Sequence, residues 1–186
     1  MVLFEEIRWH GRGGQGAMTA SDLLAKAALL EGRYIQSFPE FGPERMGAPI
    51  RAFTRISDRP INLHCTIYEP HIVVVLDSTL LKTVPVTKGL QKGGILIVNT
   101  RDTNPEFLEQ TKLAGYKFWT VPATEIAAKI SGTGITNTAM LGAVARAAAV
   151  IKLESLEKTL SGRFSPKIAE KNLEIMKQAY REVKLA

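Results

Sequence analysis

Two short runs, "HIVVVLD" at residues 71–77 and "GGILIVNT" at 93–100, constrain the fold more than any other part of the chain. Each carries an unbroken aliphatic stretch, too short for a helix and with no polar position to turn toward water. Strands of that kind need cover on both faces, as central strands of a parallel sheet have. Around them, strand-like and helix-like segments alternate. "EEIRWH" puts Ile7 and Trp9 on one strand face and Arg8 and His10 on the other. Ala20, Leu23, Leu24, Ala27 and Leu30 then recur at helical spacing, and Gly32 ends that helix. "RYIQSF", "IRAFTRIS" and "YKFWTV" are further strands, and "DTNPEFLEQTKLAG" reads as a capped helix with Pro105 near its first position. From about Pro122 the pattern is mostly helical. It closes with "SPKIAEKNLEIMKQAYREV", where Ser165 is the cap and Ile168, Leu173, Met176, Tyr180 and Val183 form an apolar stripe. The expectation is an α/β chain, one domain over 1–186. Its sheet is open, mixed or mostly parallel, Rossmann-like and flanked by helices, with a helical C-terminal part.

Between the first strand and the first helix lies "HGRGGQG", in which Gly11, Gly13 and Gly16 have G-x-G-x-x-G spacing. In that context a glycine loop suits a phosphate or carboxylate, because backbone N–H groups and the helix N-terminus favour negative charge. It equally suits a bare tight turn. A nicotinamide site needs an acidic residue about 20 residues on, at the end of the second strand. That strand ends in Gln36-Ser37-Phe38, and Arg12 within the loop is unusual for a dinucleotide, so a stand-alone nucleotide-dependent oxidoreductase is the weaker alternative. Arg12 is a candidate for a charge-assisted contact to the anion.

The net charge of +6 favours anionic ligands or partners, and residues 1–60 hold seven arginines against one lysine. No lysine–arginine block accompanies the charge, so nothing specific speaks for nucleic acid. No run is long and apolar enough for a membrane span, and "MVLFEEIR" does not resemble a signal peptide, so a cytoplasmic chain is expected. One cysteine, Cys65, fits a reducing compartment and is expected to be a small, partly buried side chain. It cannot support an iron–sulfur cluster, which takes about four. No metal site and no complete catalytic apparatus are present in these residues.

Three segments remain open. "FPEFGPERMGAP" (38–49) is an ordered-looking loop of prolines and glycines, and it leads into a strand with Arg51, Phe53 and Arg55 on one face. That face is either a partner contact or a solvated edge strand. Asp77 closes its strand where α/β sheets bind ligands, or it caps a helix starting near Ser78. Thr136, Asn137 and Thr138 open a helix, explained by capping, with Gly132 and Gly134 hinting at a second close approach.

Taken together, "GRGGQG", "FPEFGPERMGAPIRAFTRIS" and "GITNTAMLGA", in that order and spacing, resemble the gamma subunit of pyruvate and related 2-oxoacid:ferredoxin oxidoreductases. The resemblance spans essentially the whole chain. It implies a part in oxidative decarboxylation of a 2-oxoacid with coenzyme A to acyl-CoA, carbon dioxide and reduced ferredoxin, as in a pyruvate synthase. Thiamine diphosphate, magnesium and 4Fe-4S clusters would then belong to alpha, beta and delta partner subunits. Gly11, Arg12, Gly13, Gly14, Gln15 and Gly16, with Gly42, Pro43, Glu44 and Arg45, would be the residues near coenzyme A. Many relatives continue the second loop with an R-G-G triplet, where this chain has Arg45-Met46-Gly47.

Overall fold

The structure, a computed structural model, describes residues 3–40, 46–102 and 115–186. Seven strands form one sheet in the order β2-β3-β1-β4-β5-β6-β7. They are β1 (Phe4–Arg12), β2 (Tyr34–Pro39), β3 (Pro49–Ser57), β4 (Ile72–Val75), β5 (Ile95–Asn99), β6 (Lys117–Val121) and β7 (Lys184–Leu185). The aliphatic runs sit at its centre. β1, β4, β5 and β6 are mutually parallel, whereas β3 runs antiparallel to both β1 and β2, and β7 is antiparallel to β6. The sheet is therefore mixed and parallel in the middle, as the unbroken apolar strands require.

Alternation along the strands divides two cores. Ile7, Trp9, Ile72, Val74 and Ile97 face α1 (Ala17–Leu30) and the C-terminal helices, and this is the larger cluster. Those helices are α3 (Ala123–Ser131), α4 (Asn137–Ala147), α5 (Leu153–Arg163) and α6 (Pro166–Glu182). Val73, Val75, Leu96, Val98 and Phe118 face the opposite side, beneath Leu80, Val86 and Leu90. The tight α4–α6 crossing depends on Gly142, where a Cβ would lie 2.1 Å from the Met176 carbonyl oxygen. Gly32 stops α1 as expected: it sits at φ 76, and the Arg33 amide returns to Ala28 at 3.2 Å.

Several expectations change. The helix anticipated from Ser78 is a single turn, α2 (Leu80–Thr83). The one anticipated over 102–115 falls almost wholly outside the described residues, and β7 was not anticipated because two residues show no periodicity. Ser165 occupies the N-cap position of α6 but makes no side-chain cap bond. Ile168 leaves the α6 stripe and is 52% exposed, while Ala169 and Ile175 are buried instead.

The Arg51–Phe53–Arg55 face is also not what the alternation suggested. β3 is an interior strand, and Phe53 and Arg55 are each 1% exposed, covered by their own chain. Arg55 donates to Glu6 (2.7 Å), Gln36 (2.9 Å) and the Cys65 carbonyl (2.9 Å), and it lies over the Phe38 ring. Arg51 is paired with Glu40. Phe53 and Arg55 thus belong to an internal polar core rather than to a partner surface or a wet edge, while Arg51 stays partly exposed. The segment that covers it, 61–66, is irregular, so His64 and Cys65 are not on a strand, and Cys65 is exposed rather than partly buried.

Candidate functional site

The chain leaves β1 through α1 toward β2 and β3 on one side, whereas β4 lies on the other. The carboxyl ends of β1 and β4 therefore flank a topological switch point, where open α/β sheets bind ligands. The glycine loop occupies it. Gly11 and Arg12 complete β1, and a Cβ on Gly11 would approach Ala17 Cβ at 3.1 Å. Gly14 and Gly16 adopt φ 95 and 79, left-handed backbone that favours glycine. The Gly13 amide donates to the Ala48 carbonyl at 2.9 Å, and the Gly47 amide donates back to Gly13 at 3.1 Å. The return of the second loop is in this way stitched onto the first.

Arg12 is turned inward. Its Nε donates to Asp77 (3.0 Å), Nη1 to the Gly47 carbonyl (3.1 Å) and Nη2 to Thr79 Oγ1 (2.8 Å). One guanidinium so joins the glycine loop, the start of the second loop's return and the turn after β4. Gln15 adds a second tie: Nε2 donates to Asp77 at 3.0 Å, and Oε1 accepts the Arg12 amide at 2.8 Å. The other Asp77 oxygen accepts the Thr79 amide (3.0 Å) and hydroxyl (2.6 Å). Partial burial acts to raise the Asp77 pKa, but the hydrogen bonds from Thr79, Gln15 and Arg12 outweigh it and hold the carboxyl below its ordinary value. Asp77 thus shapes the turn before α2 and anchors the glycine loop at the same time.

A third segment closes the site. Asn137, the first residue of α4, packs on Gly16, where a Cβ would lie 2.6 Å from Asn137 Nδ2. Asn137 Oδ1 accepts the Thr138 amide at 2.8 Å, and the Thr138 hydroxyl donates to Asn172 at 2.7 Å. Capping does not account for Thr136, whose buried hydroxyl has no hydrogen-bond partner among the described residues. The second close approach is at Gly16, not at Gly134, where the nearest contact to an added Cβ is an ordinary 3.8 Å. Sequence reasoning overlooked Asn99. Its Nδ2 donates to the Leu76 carbonyl and to Thr124 Oγ1, both at 2.8 Å, fastening the ends of β4, β5 and β6. An asparagine closing an apolar strand at the carboxyl edge was the available signal.

Behind β1, on the second face of the sheet, Arg8 and His10 are 3% and 2% exposed. Arg8 donates from Nε to His10 Nε2 (3.0 Å) and from Nη2 to the Val86 (2.9 Å) and Lys88 (2.6 Å) carbonyls. Nε2 being an acceptor, the His10 proton is on Nδ1. Burial first, then the nearby Arg8 and Arg51 charges, push His10 down to about 3, so it is neutral near pH 7. Burial, with Arg51 adding repulsion, pulls Arg8 to about 10, which leaves it charged. This pair braces β1 beneath the glycine loop.

Of the sequence-predicted site residues, Gly11 through Gly16 are brought together at the switch point. Gly42, Pro43, Glu44 and Arg45 lie outside the described residues, although Glu40, which precedes them, is paired with Arg51. Among the described residues no group of three His, Cys, Asp or Glu side chains is placed to hold a metal ion. No helix of the described residues is long and apolar enough to cross a membrane.

Residues 6–182 match the family described as pyruvate ferredoxin/flavodoxin oxidoreductase. The chain is 54% identical over 175 residues to the pyruvate/ketoisovalerate oxidoreductases common subunit gamma of Thermococcus litoralis, covering 94% of this chain and 95% of that protein. Its fold is similar to the crystal structure of pyruvate oxidoreductase subunit PORC from Thermotoga maritima, with a TM-score of 0.88 and 43% identity over 97% of each chain. A more distant likeness, of fold alone, is to 2-oxoglutarate:ferredoxin oxidoreductase from Magnetococcus marinus, a structure with 2-oxoglutarate, coenzyme A and succinyl-CoA bound. There the TM-score is 0.78 and the identity 19%, over 98% of this chain and 32% of that one. A strand–glycine-loop–helix switch point on a mixed seven-stranded sheet, and relatives alike along their full length, lead to one assignment: the chain belongs to the pyruvate ferredoxin/flavodoxin oxidoreductase family, among its gamma-type subunits.

Proposed function

We propose that this chain works inside a 2-oxoacid:ferredoxin oxidoreductase with alpha, beta and delta subunits. In that assembly its glycine loop, residues 11–16, helps hold the phosphates of coenzyme A together with residues 42–45. The overall reaction converts a 2-oxoacid and coenzyme A to acyl-CoA and carbon dioxide, and passes the electrons to ferredoxin. The electron-transfer groups belong to the partners, because this chain's residues do not fit them: it has one cysteine, and a cluster is held by about four. Thiamine diphosphate and magnesium are likewise assigned to the partners.

The observation that carries the reading is the division of amides in the loop. The Arg12, Gly13 and Gln15 amides are engaged within the chain. Those of Gly14 and Gly16 donate to none of the described residues. The following helix starts without a side-chain cap or an acidic residue in its first turn. Amides with no acceptor among the described residues and a helix N-terminus with no side-chain cap together favour a phosphate. Arg12 then acts by fixing the loop's shape rather than by touching the anion, and Asp77 keeps it there.

The test is Gly14→Ala in the assembled enzyme. Gly14 is at φ 95, and its Cβ would meet Met46 Sδ at 3.2 Å, so alanine distorts this loop locally. A left-handed penalty of roughly 1–2 kcal/mol predicts a rise in KM for coenzyme A of about fivefold or more, with KM for the 2-oxoacid unchanged. Native KM for coenzyme A with normal assembly sinks the proposal. Failure to assemble assigns the free amides to a carboxylate of a partner chain instead.

A further inference from the structure

α6 was expected to bury Ile168, yet this side chain is 52% exposed, and Ile135, just before α4, is 53% exposed. The two border one groove of about 500 Å³ between the start of α4 and the α5–α6 corner. Phe164 and Ile175 add apolar wall, and Thr19 and Asn137 connect the groove to the glycine loop. Its charged lining residues are Arg163 and Lys171, with no carboxylate. Arg163 lies over the Phe164 ring at 5.7 Å, which holds its guanidinium at the rim. Neither cation is ion-paired among the described residues. The Thr138–Asn172 hydrogen bond and the close Gly142 crossing join α4 to α6 beside the groove.

We infer that this groove docks a segment of a partner subunit that presents an aliphatic side chain flanked by carboxylates. The aliphatic group covers Ile135 and Ile168, and the carboxylates meet Arg163 and Lys171. Two exposed isoleucines in one groove beside two cations, with no carboxylate in its lining, complement a partner of apolar body and opposite charge. The inference rests on the chain's being a subunit, but not on the glycine loop's contacting coenzyme A. A partner seated here adjoins that loop through Thr19 and Asn137 and encloses it on the α4 side.

The experiment uses the whole complex, purified through a tag on another subunit. Zero-length carbodiimide coupling of the native complex is expected to join Lys171 to an aspartate or glutamate of a partner chain. Amine acetylation is expected to modify Lys171 at least about tenfold more slowly than exposed Lys92, which lies at the opposite end of the strands. Arg163→Glu with Lys171→Glu is expected to weaken retention of the subunit by about tenfold or more under salt washing, while Arg163→Lys with Lys171→Arg retains it. Full acetylation of Lys171 within the complex overturns the inference. So does native retention of the charge-reversed subunit with a raised KM for coenzyme A, which makes the groove a ligand site. The Gly14→Ala result is independent of both.

Discussion

Replacing Gly16 by alanine probes the junction on which the site depends. Gly16 is at φ 79, where an L-residue loses roughly 1–2 kcal/mol. Its new Cβ would lie 2.6 Å from Asn137 Nδ2 and 3.1 Å from Asn137 Cγ. Asn137 is 8% exposed and fixed through its Oδ1 bond to the Thr138 amide, so relief requires a shift costing about 1–3 kcal/mol as overpacking. The two contributions sum to about 2–5 kcal/mol, or roughly 4–20 °C in Tm for a chain of this length. Thermal unfolding followed by circular dichroism measures it. In an Asn137→Ala background the Nδ2 and Cγ contacts are gone and the residue 137 Cβ, at 3.2 Å, is the one that remains, so the same substitution should cost close to the backbone penalty of about 1–2 kcal/mol. Equal losses in the two backgrounds would refute the contact between the glycine loop and α4. A loss below about 0.5 kcal/mol would refute the backbone argument as well.

Arg55→Leu should destabilise the fold by about 3–5 kcal/mol, because it leaves the Glu6 carboxylate, 16% exposed, without its buried partner; urea unfolding with an unchanged m-value checks this. His10 sets a pH dependence. Its folded pKa, about 3, lies below the ordinary value of 6.5, so the unfolded chain binds the extra proton and stability falls as pH drops through that interval. The slope from this group approaches about 1.4 kcal/mol per pH unit. His10→Gln, which keeps an acceptor for Arg8 Nε, should flatten the Tm profile between pH 4 and 6.5; an unchanged profile would place the titration elsewhere.

Much of this fold was legible because it depends on one-dimensional pattern. The unbroken runs at 72–76 and 95–98 dictated central parallel strands, and the alternation in "EEIRWH" placed Trp9 under α1. The glycine loop was legible as the break between β1 and α1, and its Gly14 and Gly16 prove to hold left-handed backbone. What pattern does not encode is which segment covers which face. The alternation correctly put Arg51, Phe53 and Arg55 together, but nothing local announces that residues 61–66 fold back and supply carbonyls to Arg55. A buried arginine bonded to Glu6, 49 residues away, looks in sequence like a surface arginine. Ile168 erred the other way: helical spacing marks it as core, yet α6 rolls so that Ala169, Ile175 and Met176 face α4.

The site itself shows the same division, and it explains why the loop carries both glycines and charge. Glycines at 14 and 16 have amides with no acceptor among the described residues, but such a loop loses more conformational entropy on ordering than any other kind. Arg12, Gln15 and Asp77 supply the order. Each of their hydrogen bonds ends inside the chain, and together they tie the loop to the β4 turn and to Gly47 without covering Gly14, which stays exposed. An arginine facing the ligand would have added attraction but left the loop loose. Facing Asp77, it makes a preorganised cradle from backbone that is otherwise the most mobile available. Preorganisation of this kind lowers the ordering penalty at the moment of binding. The charge in "GRGGQG" is therefore structural support, which leaves the proposed contact with coenzyme A phosphate to the glycines beside it.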